Sequence, residues 1–317
     1  MVIDAHNHIG IEWVNYVSGD HPYAQSLEDL IIKARSTPVS HWIAFPFVSY
    51  TGATLPVTPT VDGFGSNAPY ELANLRLLEE IAEYSGNGRR EVLPFVMVDP
   101  EREVDRQVEY LRKLRREHQI FGIKIQGTII QAHVSRLRDR SMALVDLAAE
   151  WDVPLLIHSS IHPSDEWSQC LDILAVAESR PEVRFVLAHS CRFHRPSLDR
   201  VAELPNTWFD CSAHRIHCQL ACRESLSVAT SGERFQSDYH DPSRVLSDLY
   251  EAYPDKLIWG TDSPYYSWRS SRGDLPEKYL SSYGEEWDCV EALSPAGRQA
   301  ITSGNTLAWL GIEENDV

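Results

Sequence analysis

The 317-residue chain lacks any stretch approaching the roughly 20 consecutive apolar residues that span a bilayer, and its N-terminus has no basic region leading into an apolar run. It has no long Lys/Arg cluster. Its 46 acidic and 29 basic side chains give a net charge of −17, which opposes contact with phosphate backbones or anionic membranes. Nucleic acid and membrane partners are therefore not expected, and the chain reads as cytoplasmic. The six cysteines (Cys170, Cys191, Cys211, Cys218, Cys222 and Cys289) include no CxxC pair, so reduced thiols are the default. There is no low-complexity segment and no exact internal repeat. What remains, 43% hydrophobic and 24% charged, is an ordinary globular composition able to form a sizeable core.

Short β-branched and aromatic runs alternate with helix-length amphipathic segments, the pattern of βα units around a parallel sheet. Eight strands are expected: Val2–His6, Trp42–Val48, Val92–Val98, Phe121–Ile125, Pro154–His158, Arg184–His189, Thr207–Cys211 and Leu257–Asp262. Helices are expected at Leu27–Arg35, Tyr70–Tyr84, Arg102–Glu117, Arg136–Trp151, Asp165–Ser179, Ser197–Leu204 and Ser243–Tyr253, with a last one, Pro295–Leu310, closing the structure. Ser49–Pro69 and Pro264–Trp287 show no periodicity and read as long loops after the second and eighth strands. A (β/α)8 TIM barrel takes about 250 residues, so residues 1–317 read as one such α/β domain with long βα loops.

The histidines and one aspartate carry the chemical signal. His6 and His8 end the first strand, His158 the fifth, His189 the sixth and Asp262 the eighth, and strand ends are where barrel enzymes keep catalytic groups. The spacing His6-x-His8 turns both imidazoles to one side of an extended chain. One such histidine alone is more often a hydrogen-bonded polar residue near the core. Five groups at four strand ends instead suit a first shell for zinc or another divalent transition metal, with water in the open position.

The run Ile3-Asp4-Ala5-His6-Asn7-His8, then Ile157-His158, Ala188-His189, Gly260-Thr261-Asp262-Ser263-Pro264 and Ser303-Gly304-Asn305, resembles the amidohydrolase superfamily. The closer resemblance is to its amidohydrolase-related branch, which holds aminocarboxymuconate-semialdehyde decarboxylase, aromatic-acid decarboxylases and lactone hydrolases. The resemblance implies His6, His8, His158 and Asp262 as metal ligands, zinc first, with manganese or another transition metal as alternatives. It makes His189 a proton-transfer residue or an additional ligand, and Asp262 a general base as well as a ligand. Lys124, ending the fourth strand, is implied to face the pocket as an ammonium or to be carbamylated between two metals; a lysine snorkelling to solvent is the plainer alternative. His214 becomes a pocket residue because Phe209-Asp210-Cys211-Ser212 resembles the family's seventh strand.

Where the family often has glycine after the sixth-strand histidine, this chain reads His189-Ser190-Cys191-Arg192-Phe193-His194. Arg192 and Arg195 there either contact an anionic substrate or form the solvated face of the next helix. The cluster Cys211, His214, His217, Cys218 and Cys222 does not match zinc-finger spacing, so a separate structural metal is not expected. Aromatic residues crowd the mouth loops. Trp13, Tyr50, Tyr265, Tyr266 and Trp268, with Lys124 and His214, are the expected substrate contacts, although aromatics also close barrel mouths as packing. Nine tryptophans favour a flat or cyclic, partly apolar small molecule.

Three functions follow in order. The first is hydrolysis of an amide, lactone or ester by metal-activated water, towards which Lys124 leans the choice. The second is non-oxidative decarboxylation of an unsaturated or aromatic acid on the same metal. The third is a catalytically silent binding barrel, whose signature, a lost metal ligand, is absent. A homodimer is left open.

Overall fold

All eight expected strands form, each parallel to the next in chain order: β1 (Ile3–Ile11), β2 (His41–Pro46), β3 (Val92–Val98), β4 (Gly122–Ile125), β5 (Leu155–Ile157), β6 (Phe185–Leu187), β7 (Thr207–Asp210) and β8 (Leu257–Ile258). The structure, a computed structural model, describes residues 1–47, 68–84, 91–270 and 277–316. The first strand also meets the chain just after the last. Ala5 N–H donates to Trp259 O at 3.2 Å and His8 N–H to Ser263 O at 2.8 Å, and Asn7 bridges Ser263 in parallel register. With helices between the strands, this is an α/β barrel of the TIM type.

Alternation along the strands separates two cores. Ile43, Phe45, Leu93, Phe95, Leu156 and Val186 point into the barrel with Trp309 and Leu310 of the last helix, and the Phe95 and Trp309 rings lie 5.4 Å apart. Ala44, Val96, Ile123, Ile125, Leu155 and Ile157 point outward under the helices. The helices form where the sequence periodicity places them. Val104–Glu117 buries Tyr110, Leu111 and Leu114 with Val104 and Val108 partly covered beside them, and its other face is charged. Leu27–Ala34 starts at a reciprocal cap between Ser26 and Asp29.

Two expectations change. Arg136–Trp151 is a 3₁₀ turn, Val134–Arg138, followed by a separate helix, Met142–Trp151, because Ser141 N–H returns to Arg136 O and the Ser141 hydroxyl donates to Pro100 O. Pro264–Trp287 is not wholly irregular: Trp268–Ser270 pairs with Glu277–Tyr279, and helix Tyr283–Glu291 starts at Ser282, whose side chain accepts from Glu285 N–H. The aromatic content there belongs partly to the buried face of that helix, at Tyr283 and Trp287. Short helices Trp13–Ser18 and His214–Cys222 occupy the connections after β1 and β7. Tyr50 and most of the Ser49–Pro69 segment lie outside the described residues.

Candidate metal centre

Counting by twos from the interior residues reaches the polar groups at the barrel mouth. Ile123 and Ile125 face out, so Lys124 faces in; Leu156 leads to His158, Trp208 to Asp210, and Ile258 through Gly260 to Asp262. Gly260 is required for space, since a Cβ there would stand 2.8 Å from His6 Cβ. β1 breaks the count. Ile3 and Ala5 face the interior, which would send His6 and His8 to the helix side, but one extra residue between Asp4 and Asn7, opposite Trp42 to Ala44, resets the alternation and turns both imidazoles inward. After β6 the chain turns left-handed at His189 (φ 64°) and stays so through Phe193.

These placements converge on one carboxylate. His6 Nε2 and His8 Nε2 each lie 3.3 Å from Asp262 Oδ1, and His189 Nδ1 lies 3.9 Å from Asp262 Oδ2. His6 Nδ1–H donates to Asp210 Oδ2 at 2.8 Å, and His8 Nδ1 faces Pro46 O at 3.3 Å. Carboxylate and carbonyl oxygens only accept, so each ring, when neutral, carries its proton on Nδ1 and turns its Nε2 lone pair towards Asp262, that of His6 also lying 3.2 Å from Lys124 Nζ. Burial pulls His8 down to about 4, which keeps that ring neutral.

Each of these two nitrogens therefore turns a lone pair towards the same carboxylate oxygen, and Asp262 Oδ1 is buried with no hydrogen-bond donor. Such an arrangement repels itself unless a cation joins it. Bonds of about 2.0–2.1 Å at tetrahedral angles leave ligand atoms about 3.3 Å apart, a separation seen between each imidazole and the carboxylate but not between the two imidazoles. Imidazole and carboxylate donors suit zinc or a neighbouring divalent metal. Among the described residues, His6, His189 and Asp262 form the one group of three whose candidate ligand atoms all lie within 4.8 Å of one another.

His158 stands outside that group. Arg192 has only donors, so its Nη2 donates to His158 Nε2 at 3.0 Å. The His158 proton then sits on Nδ1 and is donated to His189 Nε2 at 3.0 Å. The His189 proton in turn sits on Nδ1, 2.8 Å from Ser212 Oγ and 3.2 Å from Ser212 O. Burial, and then the Arg192 cation, hold His158 and His189 well below the usual imidazole range, as this neutral chain of donors requires.

Lys124 is buried with Nζ 3.2 Å from His6 Nε2 and 4.9 Å from the Phe45 ring centroid. Burial lowers it to about 7, against the pull of Asp210 and Asp262. Tyr265 lies against His8, ring centroids 5.0 Å apart, and Trp268 stacks beyond it at 6.4 Å. Tyr266, its neighbour in sequence, turns instead into the outer core beside Tyr283. Trp13 is 47% exposed and packs on Tyr16. His214 is held by Pro242 O at 2.8 Å. The histidine of that segment that faces the centre is His217, whose ring is 5.0 Å from His189.

Asp210 and Ser212 were not singled out from the sequence, yet they orient both neighbouring imidazoles. Asp210 Oδ1 accepts from His189 N–H at 2.9 Å, from Ser212 N–H at 2.9 Å and from Ser212 Oγ at 2.5 Å. Burial would raise the Asp210 carboxyl, but its contact with His6 and these hydrogen bonds outweigh it and hold it at about 2. Its position at the end of β7, two residues beyond an inward-facing tryptophan, was the available signal. The other half of the Cys/His segment is separate: Cys218 and Cys222 line a cavity of about 290 Å³ with Arg215, Tyr239 and His240.

Residues 3–312 match the family model described as amidohydrolase. No curated protein matches the chain. Many solved structures do, at low identity. An amidohydrolase from Burkholderia multivorans with bound HEPES aligns with a TM-score of 0.63 at 15% identity, covering 99% of this chain and 100% of its own. A 5-carboxyvanillate decarboxylase from Novosphingobium aromaticivorans, complexed with manganese and 4-hydroxy-3-methoxy-5-nitrobenzoic acid, gives 0.60 at 12%, covering 98% and 96%. A dihydroorotase from Campylobacter jejuni gives 0.55 at 14%, covering 98% and 83%.

Proposed function

Since the chain belongs to the amidohydrolase family, we propose that it is a metal-dependent hydrolase acting on an amide, lactone or ester of a small cyclic molecule. His6, His8 and Asp262 are the metal-holding residues of this reading. The observation that carries it is the approach of His6 Nε2 and His8 Nε2, each at 3.3 Å, to Asp262 Oδ1, a buried oxygen with no hydrogen-bond donor. A divalent metal bound there supplies Lewis acidity, which polarises a carbonyl and lowers the pKa of water.

The chain's own groups divide the remaining work. Asp262 Oδ1 faces the imidazoles while Oδ2 is left towards His189, so Oδ2 takes the proton from the attacking water. His189, with Nδ1 3.9 Å from Oδ2, passes that same proton on to the leaving group, which returns Asp262 to its carboxylate, while His158 Nδ1–H, donating to His189 Nε2, holds the ring in place. Lys124, beside His6 and beneath the same cluster, adds positive charge where the carbonyl oxygen develops negative charge. Tyr265 and Trp268 supply an aromatic wall for a flat substrate. A small-molecule substrate and a cytoplasmic location complete the reading; no helix among the described residues is long and apolar enough to cross a membrane.

The test is metal analysis of the purified protein together with a panel of lactones, esters, amides and aromatic acids, scoring hydrolysed product separately from released CO₂. About one metal per chain and hydrolysis without CO₂ are expected, and Asp262→Asn should remove nearly all turnover while part of the metal remains. CO₂ release from an aromatic or unsaturated acid would move the reaction to decarboxylation. A His6→Ala, His8→Ala double variant with unchanged metal content and rate would overturn the assignment.

A further inference from the structure

Five consecutive residues, His189 to Phe193, have φ between 47° and 64°. Left-handed backbone costs L-residues roughly 1–2 kcal/mol each, and such segments persist only where their surroundings hold them. Here they are held from outside: Ala229 N–H donates to Arg192 O at 2.9 Å and Phe235 N–H to Phe193 O at 2.8 Å. The result of this unfavourable turn is the position of one side chain. The Arg192 guanidinium lies over the mouth ends of β5 and β7, against Ser159, His158 and His217.

There Arg192 Nε donates to Ser159 O at 2.8 Å, Nη2 to His158 Nε2 at 3.0 Å and Nη1 to His217 Nε2. None of these partners carries a negative charge, and no carboxylate among the described residues forms an ion pair with it. The two carboxylates of the mouth are otherwise engaged, Asp210 by His6, His189 and Ser212, and Asp262 by the candidate metal ligands. Arginine 195, three residues on, is paired with Asp199 on the exposed helix face, which shows what a solvated arginine of this segment does. A partly buried guanidinium with no carboxylate paired directly to it has unused binding capacity, and its planar fork matches a carboxylate through two parallel hydrogen bonds.

We propose that Arg192 anchors a carboxylate of the substrate, so that the enzyme acts on carboxylate-bearing small molecules, with the carboxylate as the recognition group rather than the reacting one. This rests on the metal-centre reading above for where the reacting bond lies. His158 and His217 flank the anchor as neutral imidazoles, each taking one hydrogen of a terminal nitrogen and leaving the second for the carboxylate. His158 also links the anchor to His189, so the recognition group lies two side chains from Asp262. A single carboxylate on an otherwise flat and apolar molecule agrees with the aromatic wall of Tyr265 and Trp268.

The experiment uses benzoate as probe and benzamide as its neutral counterpart, titrated calorimetrically into metal-free and zinc-loaded protein with metal content measured in each sample. Metal-free wild type is expected to bind benzoate at least about tenfold tighter than benzamide. Arg192→Met should weaken benzoate about 10- to 100-fold, the loss of a charge-assisted pair, with benzamide unchanged and zinc content retained. Arg192→Lys should restore part of the benzoate affinity. Equal binding of benzoate and benzamide by metal-free wild type, or no benzoate binding by either form, overturns the proposal without requiring any variant to fold. So does an Arg192→Met protein with undiminished benzoate affinity. A wild type that binds no zinc but still prefers benzoate would sink the metal-centre reading and leave the Arg192 anchor standing.

Discussion

Asp210 Oδ2 accepts the Nδ1 proton of His6 at 2.8 Å, with both side chains buried and 204 positions apart in the sequence. This bond decides which nitrogen of His6 faces Asp262, because a ring that donates from Nδ1 can offer a lone pair only from Nε2. Asp210→Ala removes that acceptor and the partner of His189 N–H and Ser212 Oγ together. Metal affinity should fall about 10- to 100-fold, the usual loss when a residue that orients a metal-binding imidazole is removed. Competition against a chelator of known affinity measures it, and unchanged affinity would show that His6 is oriented without Asp210.

His189 and His158 form a proton chain, and their variants should separate. His189→Ala is expected to lower kcat about 10²- to 10⁴-fold with metal retained, in line with loss of a general acid. His158→Ala should lower kcat less and also retain metal, since both its ring nitrogens are engaged by His189 and Arg192. Metal analysis of His158→Ala is the decisive measurement: loss of metal would make His158 a ligand, as the family resemblance implies.

Gly260 touches the centre only through space. A methyl group there would meet His6 Cβ at 2.8 Å and His6 N at 3.0 Å. Gly260→Ala should therefore displace β1 at its bulge, destabilise the protein by about 1–3 kcal/mol, as overpacked sites do, and weaken metal binding. Denaturant unfolding and metal titration report the two effects, and a variant normal in both would mean that β1 shifts freely.

Glu286 gives a pH dependence set chiefly by its own burial, with a smaller push from the Asp262 carboxylate. It is buried on helix Tyr283–Glu291, and burial raises it from 4.5 to about 8. A carboxyl whose folded pKa lies above its unfolded value contributes stability that is complete below about pH 4.5 and is lost as pH rises through about 8. Glu286→Gln should remove this loss, so that at pH 8.5 the variant is more stable than wild type by on the order of a few kcal/mol. Urea unfolding at pH 5 and pH 8.5 tests it; the same pH slope in both proteins would assign the slope to other groups.

The sequence by itself determined the alternation of strands and helices, the eight strand positions, and the residues that a period of two carries inward at strand ends. Lys124, His158 and Asp262 were legible for that reason, and Asp210 was reachable by the same count. The parity of β1 was not legible. His6 and His8 share a face in any extended chain, but which face depends on the extra residue between Asp4 and Asn7, a matter of pairing with β2. Nor was the left-handed turn at His189, which is held by backbone donors at Ala229 and Phe235, more than thirty residues on. That turn sets Arg192 apart from Arg195 and moves it to the mouth. Tyr265 and Tyr266 divided in the same way, one to His8 and one to the outer core, because a local pattern gives residue spacing while a side chain's partner depends on which distant strand the barrel brings alongside.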